Sequence, residues 1–201
     1  MIMQKPRLIV VAGPNGSGKT TITEKLLRHE WMVDCEYINP DFIALQEFGG
    51  WDSKESFIKA ANIAKERREN FLLNKDSMAM ETVFSTTEKV NFVKRAKAAG
   101  FFIRLFFVCT NDPSINAQRV ALRVLEGGHD VPIKKIISRY YRSIEKCIEV
   151  LPLVDRMYFY DNSEKDTDPI LLFRVTEGKI VKQYNDLTLW AKPIYDSILH
   201  Q

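Results

Sequence analysis

The chain alternates short apolar runs with longer segments in which apolar residues recur every third or fourth position. The first run, Leu8-Ile9-Val10-Val11-Ala12, is continuous, β-branched and stopped by Gly13, the pattern of a strand buried on both faces. A glycine-rich turn follows, and Ile22, Leu26 and Leu27 then recur at helical spacing over residues 18–29. Strand, turn and helix in this order open a βαβ unit. A second strand, Tyr37-Ile38, stops at Asn39-Pro40-Asp41, where Asn39 can cap a helix and Pro40 suits its first turn. That helix is expected to reach Phe48 before Gly49-Gly50. Asp52 and Glu55 form a capping box for a third helix to residue 74, supported by Phe57, Ala60, Ala61, Ala64, Phe71 and Leu72.

Residues 77–83 read as another buried strand, unusual in carrying a carboxylate, Glu81, at the end of its apolar run. Ser85 and Glu88 make a second capping box, for a helix closed by Gly100. Residues 101–108 give the strongest strand signal, interrupted by Arg104, and helices over 113–126 and 132–151 follow, separated by Gly127-Gly128-His129-Asp130-Val131. Met157-Tyr158-Phe159-Tyr160 is a last central strand. Residues 170–176 and 179–184 flank Glu177-Gly178 as an antiparallel hairpin, and a terminal helix covers 187–199. Strands alternating with helices through crossovers predict an α/β fold of three layers around a mostly parallel sheet, with a C-terminal β-hairpin plus helix. The expected organisation is a single domain over residues 1–201, with a helical lid near 112–145 and the hairpin and helix near 164–201.

A chain of 201 residues that is 45% hydrophobic and 27% charged can bury its own core, which excludes disorder and small disulfide-stapled scaffolds. No stretch approaches 18 apolar residues and the N-terminus lacks the order of regions a signal peptide needs. Cys35, Cys109 and Cys147 have no metal-ligand spacing and are expected to be reduced thiols of a cytoplasmic protein. A net charge of +3 does not mark a nucleic-acid binder, yet residues 94–156 hold 12 basic against six acidic side chains. A polyanionic ligand is expected to be gripped there.

Gly13-Pro14-Asn15-Gly16-Ser17-Gly18-Lys19-Thr20 fits G-x-x-x-x-G-K-[ST] in full, between a buried strand and a helix as the mechanism demands. Backbone N–H groups of this loop and of the helix start, through Thr21, converge on the phosphates of ATP. Lys19 reaches the β- and γ-phosphates, and Thr20 offers its hydroxyl to Mg²⁺. No apolar run ending in Asp-Glu, LSGGQ-like stretch or NKxD-type guanine reader accompanies the loop, which turns the reading from motors, transporter ATPases and switch proteins toward a kinase.

In an open parallel sheet, ligands bind outside the carboxyl ends of the strands. The P-loop, Asp41, Glu81 with Thr82, and residues 104–111 are expected to meet there. Phosphoryl transfer needs an oriented hydroxyl, a carboxylate to take its proton, and positive charge around the γ-phosphoryl group. Asp41, near a helix N-terminus that keeps it ionised, is the expected base; the alternative is that it only complements the helix dipole. Glu81 would be costly to bury unpaired among Met78, Met80, Val83 and Phe84, so it is expected to contact the acceptor or a Mg²⁺-bound water, or to sit in a buried ion pair. Arg119 and Arg123 share one helix face, as do Arg139 and Arg142 on the next. Two arginine pairs around a glycine hinge suit a lid that closes guanidinium groups onto the transferring phosphate, against the alternative of a solvated basic face. His129, in the hinge, is expected to be a lid contact or cap.

These residues resemble the zeta-toxin-like P-loop kinases, including small bacterial proteins once described as predicted ABC-type ATPases. The resemblance is carried by VAGPNGSGKTT at 11–21, INPDFIA at 38–44, METVFS at 80–85, RVLEGGHDVP from 123 with SRYYRSI to 144, and YDNS at 160–163. It implies an adenylate-kinase-like fold and phosphorylation of a sugar hydroxyl of UDP-N-acetylglucosamine, with an antitoxin protein as partner. By that likeness Lys19 and Thr20 hold ATP and Mg²⁺, Asp41 is the base, Glu81 and Thr82 contact the acceptor, and Arg119 or Arg123 clamps the γ-phosphate. Those toxins place a second clamp arginine where this chain has Gly128-His129, so Arg139 or Arg142 substitutes or the acceptor differs. The leading expectation is an ATP-dependent kinase for a hydroxyl of a small metabolite such as a nucleotide sugar, with the role of a toxin in a toxin-antitoxin pair implied by the resemblance. Its competitors are an ATP-gated binding protein and an RNA-directed kinase, with nucleic acid the less favoured partner.

Overall fold

A computed structural model describes residues 5–49, 54–126 and 131–200 of the chain. Strands β1 (Arg7–Ala12), β2 (Glu36–Tyr37), β3 (Met78–Thr82), β4 (Phe102–Cys109) and β5 (Arg156–Asp161) run parallel in the order β2-β3-β1-β4-β5. The hairpin β6 (Ile170–Thr176) and β7 (Lys179–Gln183) continues the same sheet antiparallel, completing seven strands. Leu8, Val10, Ile103, Leu105 and Phe107 of the central strands are 0% exposed, because helices cover both faces of a parallel sheet.

One face carries the larger core. Leu8, Val10 and Phe107 pack there with residues of α2 (Pro40–Phe48), α3 (Lys54–Asn74), α4 (Thr87–Ala98), α6 (Ile133–Val150) and α7 (Lys192–Leu199). On the other face Ile9, Val11, Phe106 and Tyr158 meet Ile22 and Leu26 of α1 (Lys19–Leu27), together with Trp31. The remaining helix, α5 (Pro113–Leu125), leans on α6 through Val120 and Ile136. The three-layer α/β architecture and the hairpin plus helix are as expected. No helix among the described residues is long and apolar enough to cross a membrane.

Several local expectations need correction. Helix α4 starts after Thr86, which makes no side-chain cap bond, so Ser85 does not cap it. Phe84, at φ 58° and buried, turns the chain one step before the expected start, and its N–H goes to Thr82 Oγ1 at 3.3 Å. The terminal helix begins at Lys192 rather than 187, and β2 lies one residue earlier than Tyr37-Ile38. Asp52 falls outside the described residues, and Glu55 pairs with Lys59 at 2.8 Å.

The basic stretch from Lys94 to Arg156 does not gather on one surface. Lys94 and Lys146 pair with Glu149, Lys97 with Asp155, and Arg95 with Glu69. Arg104 stands toward the amino end of β4, opposite Ile9 and Arg156, with its guanidinium 3.7 Å from the Trp31 ring. It therefore does not join the carboxyl-end cleft, as its place in the sequence suggested. Helical and strand periodicity points neighbours in sequence to different sides.

Candidate active site

After Ala12 the chain turns through residues 13–18 into α1. Gly13 adopts φ 149°, and a Cβ there would stand 2.0 Å from the Val108 carbonyl oxygen of β4; Gly18, at φ 88°, would place one 2.0 Å from Asn162 Nδ2. Only glycine lets the backbone turn this way and lets β4 and the loop after β5 approach so closely. Asn15 O accepts from Asn116 Nδ2 at 2.6 Å, and Ser17 O accepts from Asn162 Nδ2 at 2.9 Å. In a trans peptide the C=O and the following N–H point opposite ways. Holding these two carbonyls therefore aims the Gly16 and Gly18 N–H groups away from the asparagines. Lys19 Nζ folds onto Pro14 O at 2.9 Å, and Ser17 Oγ is buried with no hydrogen-bond partner among the described residues.

The braces have braces of their own. Asn116 is fully buried on the stripe of α5 that also buries Val120, and its Oδ1 accepts the Thr110 hydroxyl; Tyr140 of α6 donates to Thr110 O at 2.5 Å. Arg139 Nη1 reaches Asn15 Oδ1 at 3.2 Å. Arg119 donates to Asn162 O at 2.7 Å and to Glu164 O at 3.0 Å, so this guanidinium is spent on the backbone after β5.

A second set of polar groups stands at the ends of β2 and β3. Lys19, Ile22, Thr23 and Leu26 form the buried stripe of α1, which points Thr23 at β3. Its hydroxyl donates to Glu81 Oε2 at 2.9 Å. Beside it, the Tyr37 oxygen accepts from Asn39 Nδ2 at 2.8 Å. Asn39 Oδ1 in turn takes the Asp41 N–H at 2.8 Å and so caps α2, as expected. Burial, then the Glu81 charge, push the Tyr37 hydroxyl well above its ordinary pKa.

Lys19 links the two halves. Burial lowers its pKa; the negative charges of Glu81 and Asp41 work against that, and Arg123 works with it. One ammonium thus feels both candidate carboxylates and a lid arginine. The structure brings together Lys19, Asp41, Glu81 and Arg123, with Thr20 and Thr21 in the first turn of α1 and Thr82 next to Glu81. Arg142 is exposed, one turn along α6 from Arg139. Gly128 and His129 lie outside the described residues. Thr23, Tyr37, Asn116 and Asn162 were not read from the sequence as site residues. Thr23 and Asn116 left a signal, a polar side chain on an otherwise apolar helical stripe; Tyr37 reads as an ordinary strand aromatic.

A sheet ordered β2-β3-β1-β4-β5, with a P-loop after β1 and carboxylates past β2 and β3, defines a P-loop kinase fold. The model of the zeta toxin family matches residues 2–166, and the chain belongs to that family. An uncharacterized protein of Haemophilus influenzae is 28% identical over 144 residues, which are 69% of this chain and 95% of that protein. The structure of the PezAT chromosomal toxin-antitoxin system of Streptococcus pneumoniae superimposes with a TM-score of 0.64 at 15% identity, over 98% of this chain and 86% of that one. A chain of the AvrRxo1-ORF1:AvrRxo1-ORF2 complex with ATP gives a TM-score of 0.66 at 16% identity, over 98% of this chain and 64% of that one. At such identities the two structures share the fold.

Proposed function

We propose that this protein is an ATP-dependent phosphotransferase that phosphorylates a hydroxyl of a small metabolite, with a nucleotide sugar such as UDP-N-acetylglucosamine as the leading acceptor. The observation that carries the reading is that α1 places the P-loop Lys19 on one buried stripe with Thr23, which holds the Glu81 carboxylate at 2.9 Å, within reach of the charges of Asp41 and Arg123. In this reading residues 13–21 bind ATP, the Gly16 and Gly18 N–H groups facing its phosphates and Lys19 leaving Pro14 O for the β- and γ-phosphates. The donor set suits Mg²⁺, which takes few protein ligands and keeps several waters: Thr20 offers one exposed hydroxyl beside the phosphate site. When bound, the ion neutralises charge on the β- and γ-phosphate oxygens.

Asp41 accepts the proton of the acceptor hydroxyl as its oxygen bonds to the γ-phosphorus. The bond from that phosphorus to the β–γ bridging oxygen breaks, and ADP leaves. Glu81 and Thr82 orient the acceptor, Arg123 places positive charge on the transferring group, and Arg119, Arg139 and Arg142 hold the lid side of the cleft. The family and the PezAT likeness support a toxin of a toxin-antitoxin pair, with an antitoxin protein as partner, and the free thiols of Cys35, Cys109 and Cys147 suit a place in the cytoplasm.

The test is transfer of label from γ-labelled ATP with Mg²⁺ to a panel of nucleotide sugars. Acceptor-dependent transfer lost in Lys19→Ala and Asp41→Ala is the expected result. ATP binding without a labelled acceptor, and indifference to Asp41→Ala, would overturn it in favour of an ATP-gated binding protein.

A further inference from the structure

The C-terminal hairpin and α7 lie past residue 166, where the family match ends, and the chemistry above gives them no part. The segment that joins them, through Leu189 and Trp190, does take part by its hydrogen bonds. Trp190, 4% exposed, donates its indole N–H to Asp161 Oδ1 at 2.7 Å. Asp161, 5% exposed at the end of β5, also accepts the Ser163 hydroxyl at 2.9 Å and the Ser163 N–H at 3.0 Å. A second tie runs from Leu189 N to Asn111 Oδ1 at 3.1 Å and from Asn111 N to Ser163 Oγ at 2.8 Å.

Asp161 and Ser163 bracket Asn162, whose amide holds Ser17 O and occupies the space over Gly18. Asn162 N is fixed to Cys109 O at 2.8 Å, and Arg119 holds its carbonyl. A buried carboxylate keeps its turn in one geometry while its oxygens are filled with donors; losing one draws water or other donors toward the charge and reshapes the turn.

We propose that Trp190 is a positioning residue of the ATP site. Its indole N–H, held by Asp161, sets the turn that aims the Asn162 amide at Ser17 O, and so sets the direction of the Gly18 N–H offered to the phosphates. The segment joining the hairpin to α7 is thereby built into the nucleotide half of the cleft. This rests on the reading of the P-loop as an ATP site. Trp190 also packs on Phe107, ring centres 5.7 Å apart; a packing role alone would lower the melting temperature and leave nucleotide affinity unchanged.

Trp190→Phe keeps a ring against Phe107 and removes the N–H. Titration of the full chain with a non-hydrolysable ATP analogue and Mg²⁺ is expected to show binding weakened about tenfold in Trp190→Phe. Asn162→Ala, which removes the same hold directly, is expected to be at least as weak, and the double variant no weaker than Asn162→Ala alone, because both act through one link. In the wild-type protein the Trp190 indole resonance is expected to shift as the analogue is added. A folded Trp190→Phe with unchanged affinity, or losses that multiply in the double variant, overturns the positioning role and leaves the ATP reading standing. If Trp190→Phe fails to fold, an indole resonance that stays still during the wild-type titration overturns it. A wild-type chain that does not bind the analogue overturns the ATP reading and this inference with it.

Discussion

Thr23 on α1 donates its hydroxyl hydrogen to the Glu81 carboxylate on β3 at 2.9 Å, tying the P-loop helix to the end of β3. An ionised carboxylate only accepts. Next to this pair, Tyr37 accepts from Asn39 Nδ2, and Asn39 Oδ1 accepts the Asp41 N–H. The Tyr37 hydroxyl feels both carboxylates on the acceptor side, Glu81 more than Asp41, and each raises its pKa.

Thr23→Val keeps the shape of a buried side chain and removes the donor to Glu81. With an acceptor found in the labelling panel, KM for the acceptor is expected to rise about tenfold while affinity for an ATP analogue stays within about twofold. Tyr37→Phe, which removes the acceptor of the Asn39 amide, is expected to act in the same direction. Equal effects on both substrates in steady-state kinetics would sink the idea.

Lys19 gives a pH signature. Burial, its leading influence, lowers the folded-state pKa below 10.5. Between the two values the unfolded chain binds more protons at this position than the folded one, so stability rises with pH across that window and the burial penalty is fully present below it. Lys19→Met is expected to flatten this rise, to stabilise the protein near pH 7, and to cut label transfer at least about a hundredfold. Urea unfolding from pH 7 to pH 10 measures the first two effects.

The glycines separate close approach from backbone conformation. Gly13→Ala sets a methyl 2.0 Å from Val108 O, whereas a Cβ at Gly49, with φ 75°, meets nothing within 4 Å. Thermal unfolding is expected to show a loss above about 3 kcal/mol for the first and about 1 kcal/mol for the second.

The lid arginines are expected to divide their effects. Arg119 holds Asn162 O and Glu164 O, while Arg123 acts on Lys19. Arg123→Ala should lower kcat about a hundredfold with modest change in ATP affinity, and Arg119→Ala should weaken ATP about tenfold with a smaller effect on kcat. The reverse pattern would make Arg119 the group on the γ-phosphate.

The α/β fold and the phosphate loop were legible in the sequence because local chemistry dictates them. The Leu8–Ala12 run can only be a doubly buried strand, Gly13 and Gly18 stand where other residues would clash, and Asn39 caps α2 through a bond spanning two residues. Asp41 and Glu81 could be singled out for a related reason: each carboxylate sits at the edge of an apolar run or a helix start, where its presence needs explaining. The misreadings were local as well. Ser85 fits the capping pattern, but the turn at Phe84 starts α4 after Thr86.

What only the tertiary structure decided is which distant residues hold these groups in place. Asn116 braces Asn15 from 101 positions away, Asn162 braces Ser17 from 145, and Thr23 meets Glu81 across 58. Such pairs leave no periodic trace, since each partner is a single polar residue whose match is chosen by strand order and register. Arg119 shows the same limit: its helix face was foreseen, but which oxygens it holds depended on β5 lying beside β4 and delivering Asn162 to the loop.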